Sequence, residues 1–599
     1  MRTDYIVNKL YGSFVLVSIL SALSATLGML IDNVIVGQFF GETGLGVMSL
    51  VGPMSLIFSA CGNISSGGGT ALAAQALGRS DTERLQSIFS QAVYFVLIVG
   101  VVLTAAGLLF TEPIARMLGA SDELVAPTVE YLQGYFWGAI PTMLTTTMTA
   151  FVKIDGSPRL PLITIGVMSV VNVVLDLVMV TVFHLGLFGM ALATTIAYCC
   201  ALAVALTHFR RPHASLHLVK PPRHGRDIGS MIYTGAPTAL SRICDTVQVT
   251  VLNNMLAVAI GTAALAAFNV RTTASNLFGA FILGLAQASV PIVGMFYGEE
   301  DREALASVLK AAFRRGLVIN LIVAVLLFFL APILPEILGL SGTESFDMAA
   351  TAVRFFAVGM PFSLIVNVLI SFYQGSERVG MAAVICVLER LALILLFAAL
   401  LLPVMGALGV WLSFVLADVS TILIVLIVTG VRLGRFPRHL SDYVIVAESF
   451  GGDPHDRLDL SIGNDMSDVV RIAEGIHKFG RSRDIDQRTL DVLSLSIEEM
   501  AGNVVKHAFK PGEKRWLDVC ILDKPDRIKV RLRDNGAPFH PVEHLVAQAD
   551  KGNDEIGIRL VNGMADSMTY TRTMGLLNNL NIEILKTTTR THGTAKESA

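Results

Sequence analysis

The chain has 599 residues, of which 53% are hydrophobic and only 16% charged. Soluble domains carry roughly 25% charged residues, so these values exclude a single soluble globule, and they exclude a disordered chain as well. A net charge of −3 gives no basis for bulk nucleic-acid binding. The six cysteines form no C-x-x-C pair, which argues against a disulfide framework or a zinc site.

The composition changes sharply near residue 440. The first 440 positions hold 47 charged residues, whereas the last 159 hold 46. This contrast predicts a membrane bundle over 1–433, with repeats at about 8–212 and 228–433, and a soluble domain over 456–590. A linker at 434–455, rich in Pro, Gly and charge, joins them, and 591–599 form a tail.

Twelve apolar stretches in the first part are long enough to cross roughly 30 Å of hydrocarbon as helices. The first stretch is too long for a cleavable signal peptide, and more stretches follow it. The twelve predicted spans are 13–38, 47–76, 88–111, 129–151, 161–184, 187–209, 231–257, 264–296, 314–338, 350–373, 380–403 and 406–431.

Basic residues predict the orientation. If the N-terminus is cytoplasmic, almost every loop Lys and Arg falls on the cytoplasmic side, and the outer loops hold little beyond Arg116. Twelve spans return the chain to the same side. We therefore expect a multi-pass protein of the cell membrane with both termini in the cytoplasm.

The membrane part repeats itself. Residues 41–81 align without a gap on 261–301, a shift of 220, and the same shift carries Pro141 to Pro361 and Gly186 to Gly406. Each half holds six predicted spans, an even number, so the halves run in the same direction. The pattern predicts two six-helix repeats related by a pseudo-two-fold axis along the membrane normal, with a cleft between them.

Several ionisable residues lie inside the predicted spans, where a charge needs a partner or a watery cavity. Asp32 lies deep in the first span. Asn172 and Asp176, four residues apart, share one helix face. Two carboxylates and an amide suit a Na⁺ ion, and two neighbouring carboxylates can instead share a proton. The remaining candidates are Arg242, Asp245, Arg271, Glu389, Arg390 and Asp418.

The segments LGMLIDNVIVGQFFGETGLGVMSLVGP, GGGTALAAQALGRSD, VNVVLDLVMV and PIVGMFYGEED resemble the multidrug and toxic compound extrusion (MATE) family over about residues 8–432. The resemblance implies an antiporter that exports drugs or other small organic solutes, mainly cationic, across the plasma membrane in exchange for Na⁺ or H⁺.

The same resemblance assigns residues to a cation site in the first repeat, namely Asp32, Asn172, Asp176 and Thr194. Some members use acids in the seventh and tenth helices instead. The seventh-helix acid falls on Asp245, but the tenth-helix position falls near Ser363 and carries no acid. We therefore expect coupling in the first repeat.

The tail predicts an α+β domain with a mixed sheet covered on one face. The predicted order is a strand at 456–462, helices at 465–479 and 486–509, strands at 516–523 and 527–534, a short helix at 556–566 and a strand at 579–585. No G-x-x-x-x-G-K-[ST] motif is present, which excludes a P-loop ATPase as the direct motor.

Three pieces of the tail carry chemistry. Glu499 and Asn503 lie one turn apart on one helix face and offer oxygen ligands to a cation such as Mg²⁺. Asp534 begins a sharp D-N-G-A-P turn and could accept a hydrogen bond from a nucleobase amine. The Lys551–Gly557 loop precedes a helix whose N-terminus can hold phosphate.

EEMAGNVVKHAF, RDNGAPF and EIGIRLVNGMAD resemble the GHKL ATP-binding fold, most closely the anti-sigma-factor Ser/Thr kinases, over about 456–585. The resemblance implies that Asn503 ligates Mg²⁺, that Asp534 reads adenine, and that Gly536 and Gly557 shape the nucleotide loops. Glu499 would be the catalytic base acting on a substrate hydroxyl. Glu555 stands where the family's G-x-G motif has its first glycine.

Three functions follow as alternatives. The leading one is a cation-coupled exporter with a cytosolic ATP-binding regulatory domain. The second is a membrane-anchored Ser/Thr protein kinase that acts on a cytosolic protein partner and uses the transporter half as a sensor. The third is a flippase for a lipid-linked precursor, which the carboxylates in the first repeat disfavour.

Overall fold

The structure is a computed structural model. It describes residues 3–211, 214–220, 226–338, 340, 345–447, 450–451, 454–463, 466–509, 515–538 and 556–586. The first part is all-α, and the second is α+β, as the sequence predicts.

Eight helices build the first repeat. Helix α1 joins two predicted spans through a kink at Gly41, and a π-helical turn at Ile64–Gly68 connects it to α2. The helices are α1 (Thr3–Asn63), α2 (Gly69–Gly78), α3 (Thr82–Leu109), α4 (Thr111–Met117), α5 (Asp122–Trp137), α6 (Ala139–Ile154), α7 (Leu160–Thr181) and α8 (Gly186–Leu206).

Nine helices build the second repeat, in which a π-helical turn at Leu388–Ala392 links α15 and α16. The helices are α9 (Arg226–Ala259), α10 (Thr262–Gln287), α11 (Ser289–Gly298), α12 (Arg302–Leu330), α13 (Ile333–Ile337), α14 (Ser345–Gly375), α15 (Val379–Val387), α16 (Leu393–Met405) and α17 (Ala407–Leu433).

Ten helices in the described part of the chain are long and apolar enough to cross a membrane, rather than the twelve predicted. The predicted span 129–151 is divided at Gly138 into α5 and α6, neither of which reaches 18 residues. The predicted span 231–257 lies within α9, a 34-residue helix that contains both Arg242 and Asp245. Charge and a helix break therefore account for the difference.

The backbone repeats as the sequence predicts. Gly41 and Gly261 both have positive φ, at 58° and 105°, and so do the equivalent Ser80 and Glu300, at 56° and 54°. Asp81 caps α3 through the Arg84 N–H, and Asp301 caps α12 through the Ala304 N–H. Equivalent turns with the same geometry support a duplicated bundle.

The repeats meet through α2 and α11. A Cβ built at Gly78 would lie 2.1 Å from the Met295 carbonyl oxygen, and one at Gly298 would lie 2.1 Å from the Gln75 carbonyl oxygen. Only glycine allows backbones to approach this closely. We call this end of the bundle, which holds turns 79–81, 155–159 and 299–301, the domain side, and the opposite end the far side.

The C-terminal domain has five strands and three described helices. The strands are β1 (Arg457–Ile462), β2 (Leu517–Asp523), β3 (Arg527–Asp534), β4 (Ser567–Thr573) and β5 (Leu577–Leu585). The helices are α18 (Met466–Ser482), α19 (Gln487–Asn503) and α20 (Ile556–Met564).

The strand order is β1-β2-β3-β5-β4, and all four pairings are antiparallel. The prediction of a mixed sheet was therefore wrong, and β4 was missed. Its sequence, SMTYTRT, alternates too weakly in polarity to be separated from a loop. Short turns such as the one between β4 and β5 allow neighbouring strands to pair antiparallel without a crossover helix.

The sheet has one apolar and one polar face. Val530 and Leu532 of β3 belong to the domain core with α18 and α19, whereas Arg531 and Arg533 point the other way. Strand alternation requires this division. The polar face lies against the domain side of the bundle, so both faces are covered, and the prediction of a sheet covered on one face was incomplete.

The predicted linker packs against the second repeat. Val444, Ile445 and Val446 are buried in the same apolar cluster as the second repeat. Arg378 donates to the Ile445 carbonyl oxygen at 3.0 Å, and Tyr373 donates to the Tyr443 carbonyl oxygen at 3.2 Å. These contacts hold the start of the C-terminal domain against the second repeat.

Candidate functional site

Three of the four predicted residues of the first repeat come together between α1 and α7. Asn172 Nδ2 donates to Asp32 Oδ1 at 3.2 Å and to Asp176 Oδ2 at 2.6 Å. Asp176 is fully buried, and its Oδ1 has no hydrogen-bond partner among the described residues. A buried carboxylate oxygen without a partner is costly, so this arrangement favours a site completed by a cation or a proton.

Thr194 is not drawn into this pair. Its hydroxyl donates to the Met190 carbonyl oxygen of its own helix at 3.3 Å. Such i−4 bonds are ordinary for a helical threonine. The assignment of Thr194 to the cation site therefore stays a prediction.

An aromatic stack in the first repeat was missed at the sequence level. Tyr135 stacks on Phe58 with ring centroids 5.0 Å apart and on Tyr131 at 5.9 Å. Its hydroxyl donates to Ser55 Oγ at 2.8 Å, which ties α5 to α1. Tyr131 and Tyr135 are four residues apart, and this helical spacing in YLQGYFW is the signal that could have found them.

In the second repeat, Asp245 is paired. Arg390 Nη1 donates to Asp245 Oδ1 at 2.7 Å, and Arg390 Nη2 donates to Asn367 Oδ1 at 2.9 Å. Glu389 Oε2 lies 3.3 Å from Arg390 Nε. Asn367 in turn donates to the backbone oxygen of Ser363, near the position at which some family members carry an acid. A carboxylate already neutralised by arginine is poorly suited to exchange a cation.

Arg271 and Asp418, two further intramembrane charges, are also buried. The Arg271 guanidinium lies 3.3 Å from the Phe414 ring centroid, a cation–π contact. In the second repeat, Arg390 and Arg271 therefore make internal contacts with acids and aromatic rings.

A cavity of about 590 Å³ lies between α9 and α10, near the turn at 260–261 on the far side. Amides and hydroxyls dominate its walls, and no charged side chain lines it. The lining residues are Val249, Asn253, Asn254, Ala257, Leu265, Phe268, Asn269, Thr272, Thr273 and Asn276.

The C-terminal domain has a small cleft at Asp534. This carboxylate is 4% exposed and accepts hydrogen bonds from the Gly536 N–H at 2.7 Å and from Asn578 Nδ2 at 2.9 Å. Burial raises the pKa of Asp534 to about 6, although both hydrogen bonds oppose the shift. The other lining residues are Met500, Val504, Leu532, Tyr570, Asn578 and Leu580.

The chemistry of these residues suits a purine base. A buried carboxylate at the end of an apolar and aromatic lining can accept a hydrogen bond from an exocyclic amine while the walls cover the ring. Glu499 and Asn503, both partly exposed, lie on α19 beside the lining residue Met500. Gly557 lies in α20, whereas the predicted loop 551–555 is outside the described residues.

No group of three or more His, Cys, Asp or Glu side chains in the described ranges is arranged to hold a metal ion. A Mg²⁺ ion carried by Asn503 would depend on nucleotide phosphates for its other ligands. The Mg²⁺ assignment stays a prediction.

Two family models match the chain. The MatE model covers residues 18–178 and 237–400, and the histidine kinase-like ATPase domain model covers residues 463–582. The MatE match spans more than half of the chain, and this protein belongs to that family of membrane transporters. Its C-terminal region matches an ATPase domain.

Two relatives are similar to part of this chain. The multidrug export protein MepA of Staphylococcus saprophyticus is 27% identical over 313 residues, which is 51% of this chain and 68% of the relative. The probable multidrug resistance protein YoeA of Bacillus subtilis is 29% identical over 35% of this chain and 46% of its own length.

Solved structures show the same fold. An outward-facing MATE family transporter matches with a TM-score of 0.67 at 20% identity, over 72% of this chain and 98% of its own. VcmN of Vibrio cholerae in its bent form matches with a TM-score of 0.65 at 19% identity, over 70% of this chain and 95% of its own. The membrane part therefore has the MATE fold.

Proposed function

We propose that the protein is a Na⁺- or H⁺-coupled antiporter that exports small organic solutes and carries a nucleotide-binding regulatory domain. The observation that supports coupling is the single Asn172 amide shared by Asp32 and Asp176, with Asp176 Oδ1 left buried and without a partner among the described residues. The family membership and the multidrug export function named for its relatives support the export activity.

The site suggests how exchange is coupled. Two facing carboxylates repel each other unless a Na⁺ ion lies between them or a proton joins one of them. An organic cation can take the same place. Coupling ion and cargo would then compete for Asp32 and Asp176, so that the entry of one expels the other.

The far-side cavity supports a cargo with polar groups. Its amides and hydroxyls donate and accept hydrogen bonds, and Phe268 adds an aromatic surface. Because no charge lines it, a cationic cargo would be held by the cavity only weakly. The cargo would therefore be released toward the far side. This side faces outward if the C-terminal domain is cytoplasmic.

The experiment is substrate-dependent cation flux in proteoliposomes. With imposed Na⁺ or H⁺ gradients, purified protein should move a cationic dye against its gradient and move the coupling ion in the opposite direction. The Asp32→Asn and Asp176→Asn variants should lose both movements while remaining monodisperse and folded. Dye transport at the wild-type rate by Asp176→Asn would refute the coupling site.

A matched control is Asp418→Asn. Asp418 is also a buried acid within a predicted span, but it lies in the second repeat. If its flux falls as far as that of Asp176→Asn, the loss reflects disturbance of the bundle rather than a coupling site in the first repeat.

A protein kinase is the second candidate. The position of Glu499 and Asn503 on α19, beside the cleft that holds Asp534, favours it. Transfer of labelled phosphate from Mg-ATP to a cytosolic protein, lost in Glu499→Ala and retained in the nearby Glu498→Ala, would establish this activity. Nucleotide binding without transfer would leave the regulatory role alone.

A further inference from the structure

The polar face of the sheet is occupied by the transporter itself. Arg533 Nη1 lies 2.7 Å from Glu299 Oε2, Arg531 Nη2 lies 3.1 Å from Asp301 Oδ2, and Asn579 Nδ2 donates to Glu299 Oε1 at 3.0 Å. The Glu299 side chain is fully buried, and those of Arg533 and Asp301 are 2% and 4% exposed. We call Glu299, Asp301, Arg531, Arg533 and Asn579 the charged dock.

The domain also contacts the first repeat. Asn581 Nδ2 donates to Ser80 Oγ at 2.5 Å. The turn between β4 and β5 lies so close to the turn between α6 and α7 that a Cβ at Gly575 would be 2.5 Å from the Gly156 carbonyl oxygen. One sheet therefore holds turns from both repeats.

Two of the turns it holds are equivalent in the two repeats. Residues 79–81 and 299–301 follow α2 and α11, the two helices that meet in backbone contact on the domain side. Opening the bundle on this side requires the two repeats to separate there. A domain that bridges them opposes that motion and leaves the far-side cavity as the open one.

The two halves of the bridge differ in kind. The second repeat is held by several buried ion pairs and by the linker at Val444–Val446, whereas the described contacts with the first repeat are the Ser80 hydrogen bond, the close approach at Gly156 and the packing of β4 on α2. The first-repeat contact is the weaker one. It is therefore the contact expected to release.

The cleft predicted to bind a nucleotide lies one residue along the chain from the charged dock. Asp534 and Asn578 line the cleft, and their chain neighbours Arg533 and Asn579 belong to the charged dock on the opposite face of the same two strands. The cleft has a volume of about 20 Å³. This is room for about one water molecule, so a purine can enter only if the walls of the cleft, which β3 and β5 help to form, move apart.

We propose that the C-terminal domain is a nucleotide-released clamp. It stays on the second repeat through the charged dock, and its contacts with Ser80 and Gly156 keep the far side open until a purine nucleotide bound at Asp534 shifts the strands and frees the first repeat. The consequence for export rests on the proposed antiport function, whereas the clamp itself is testable without transport.

The first test is a cross-link in the full-length protein. Ser80→Cys combined with Asn581→Cys should form a disulfide on oxidation, and Mg-ATP should slow its formation several-fold. Adding Asp534→Asn should remove the ATP effect. The variants that carry only Ser80→Cys or only Asn581→Cys keep the native cysteines and are the matched controls for pairing with them. Cross-linking at the same rate with and without ATP would overturn nucleotide release.

The second test reads the open side directly. Asn253→Cys, which lines the far-side cavity, is labelled in intact cells with a membrane-impermeant maleimide, and the labelling of the parent protein is subtracted. Arg531→Gln with Arg533→Gln should lower the labelling at least threefold. Arg531→Lys with Arg533→Lys keeps the charges and should label like the parent. Equal labelling in all three proteins would overturn the clamp.

Transport separates failure of the clamp from failure of the antiporter. The oxidised Ser80→Cys/Asn581→Cys protein should export at least tenfold more slowly than its reduced form, with recovery on reduction. A fully cross-linked protein that exports at the reduced rate overturns the clamp. If the reduced protein and wild type do not export either, the proposed antiport function fails, and labelling and cross-linking still decide the clamp.

Discussion

The two repeats share a fold but handle buried charge in opposite ways. In the first repeat, Asp32 and Asp176 share one amide, and no basic side chain in the described part of the chain forms an ion pair with either of them. In the second, Asp245 and Glu389 are bound to Arg390. The shift of 220 places Leu252 and Leu396 opposite the first-repeat acids, so neither acid has a counterpart.

This difference shows how a duplicated bundle can divide its roles. Once both halves share a backbone, only one needs an exchangeable cation site. The other can fix its charges in permanent pairs. We infer that the second repeat supplies a stable frame and the first supplies coupling, a division that substitutions in each half can break or sharpen.

The largest expected effect is on coupling. Asp176→Asn keeps the size of the side chain and one acceptor oxygen but removes the charge that would attract a cation. Substrate-driven cation flux in proteoliposomes should fall by at least tenfold. A tenfold loss of ion affinity corresponds to about 1.4 kcal/mol of binding free energy. Asp245→Asn, the equivalent change in the paired cluster, should retain most of the flux.

The next effect is on stability. Arg390→Ala leaves Asp245 and Glu389 without their cation. Removing one partner of a buried pair costs about 3–5 kcal/mol, and the partial exposure of Arg390 lowers this to about 1–3 kcal/mol. Thermal unfolding in detergent should show a lower midpoint. A midpoint equal to that of wild type would show that the pair is not structural.

A smaller effect concerns pH and nucleotide. With the pKa of Asp534 raised to about 6 by burial, its carboxylate gains a proton as the pH falls through 6, and the neutral acid then accepts a hydrogen bond from the adenine amine only weakly. ATP affinity measured by calorimetry should fall roughly tenfold from pH 7 to pH 5. Asp534→Asn should bind weakly at pH 7 and show only the change due to the phosphates.

Asp301 of the charged dock should stay ionised over that range. Burial opposes ionisation of Asp301, but the charges of Arg533, Arg531 and Arg457 outweigh it and lower the pKa to about 2. The stabilisation that ionised Asp301 provides is fully present above its pKa in the unfolded chain, which is near 4, and it disappears only as the pH falls toward 2. Cross-linking of Ser80→Cys to Asn581→Cys without nucleotide should therefore proceed to the same yield at pH 6 and at pH 7.5 once the thiolate fraction is matched.

The smallest effect is at Thr194. Its hydroxyl is bonded to its own helix, so Thr194→Val removes one oxygen without moving a charge. The apparent cation affinity, read from the ion concentration that gives half-maximal flux, should fall about threefold if the hydroxyl joins the site, as one hydrogen bond of roughly 0.6 kcal/mol requires. No change would remove Thr194 from the predicted site.

Local patterns predicted most elements. Apolar length indicated the membrane helices, the repeated glycines indicated the duplication, and alternation in RIKVRLRD indicated β3. The division of 129–151 at Gly138 was not predictable, because apolarity is continuous across it. The antiparallel order of the sheet was missed because β4 lacks a strong pattern and the pairing of distant strands leaves no local signal.

The sequence by itself determined the two-part organisation and the family, because these depend on composition and on local motifs. It also predicted Asp32, Asn172 and Asp176 as a cation site. Only the tertiary structure decided that Asn172 joins the two acids, that Arg390 neutralises Asp245, and that Arg531 and Arg533 face Glu299 and Asp301. The alternation of polar and apolar residues in β3 alone predicts that its arginine face is exposed to solvent. Whether water or another part of the chain satisfies those charges depends on contacts between residues more than 200 positions apart, which no local pattern records.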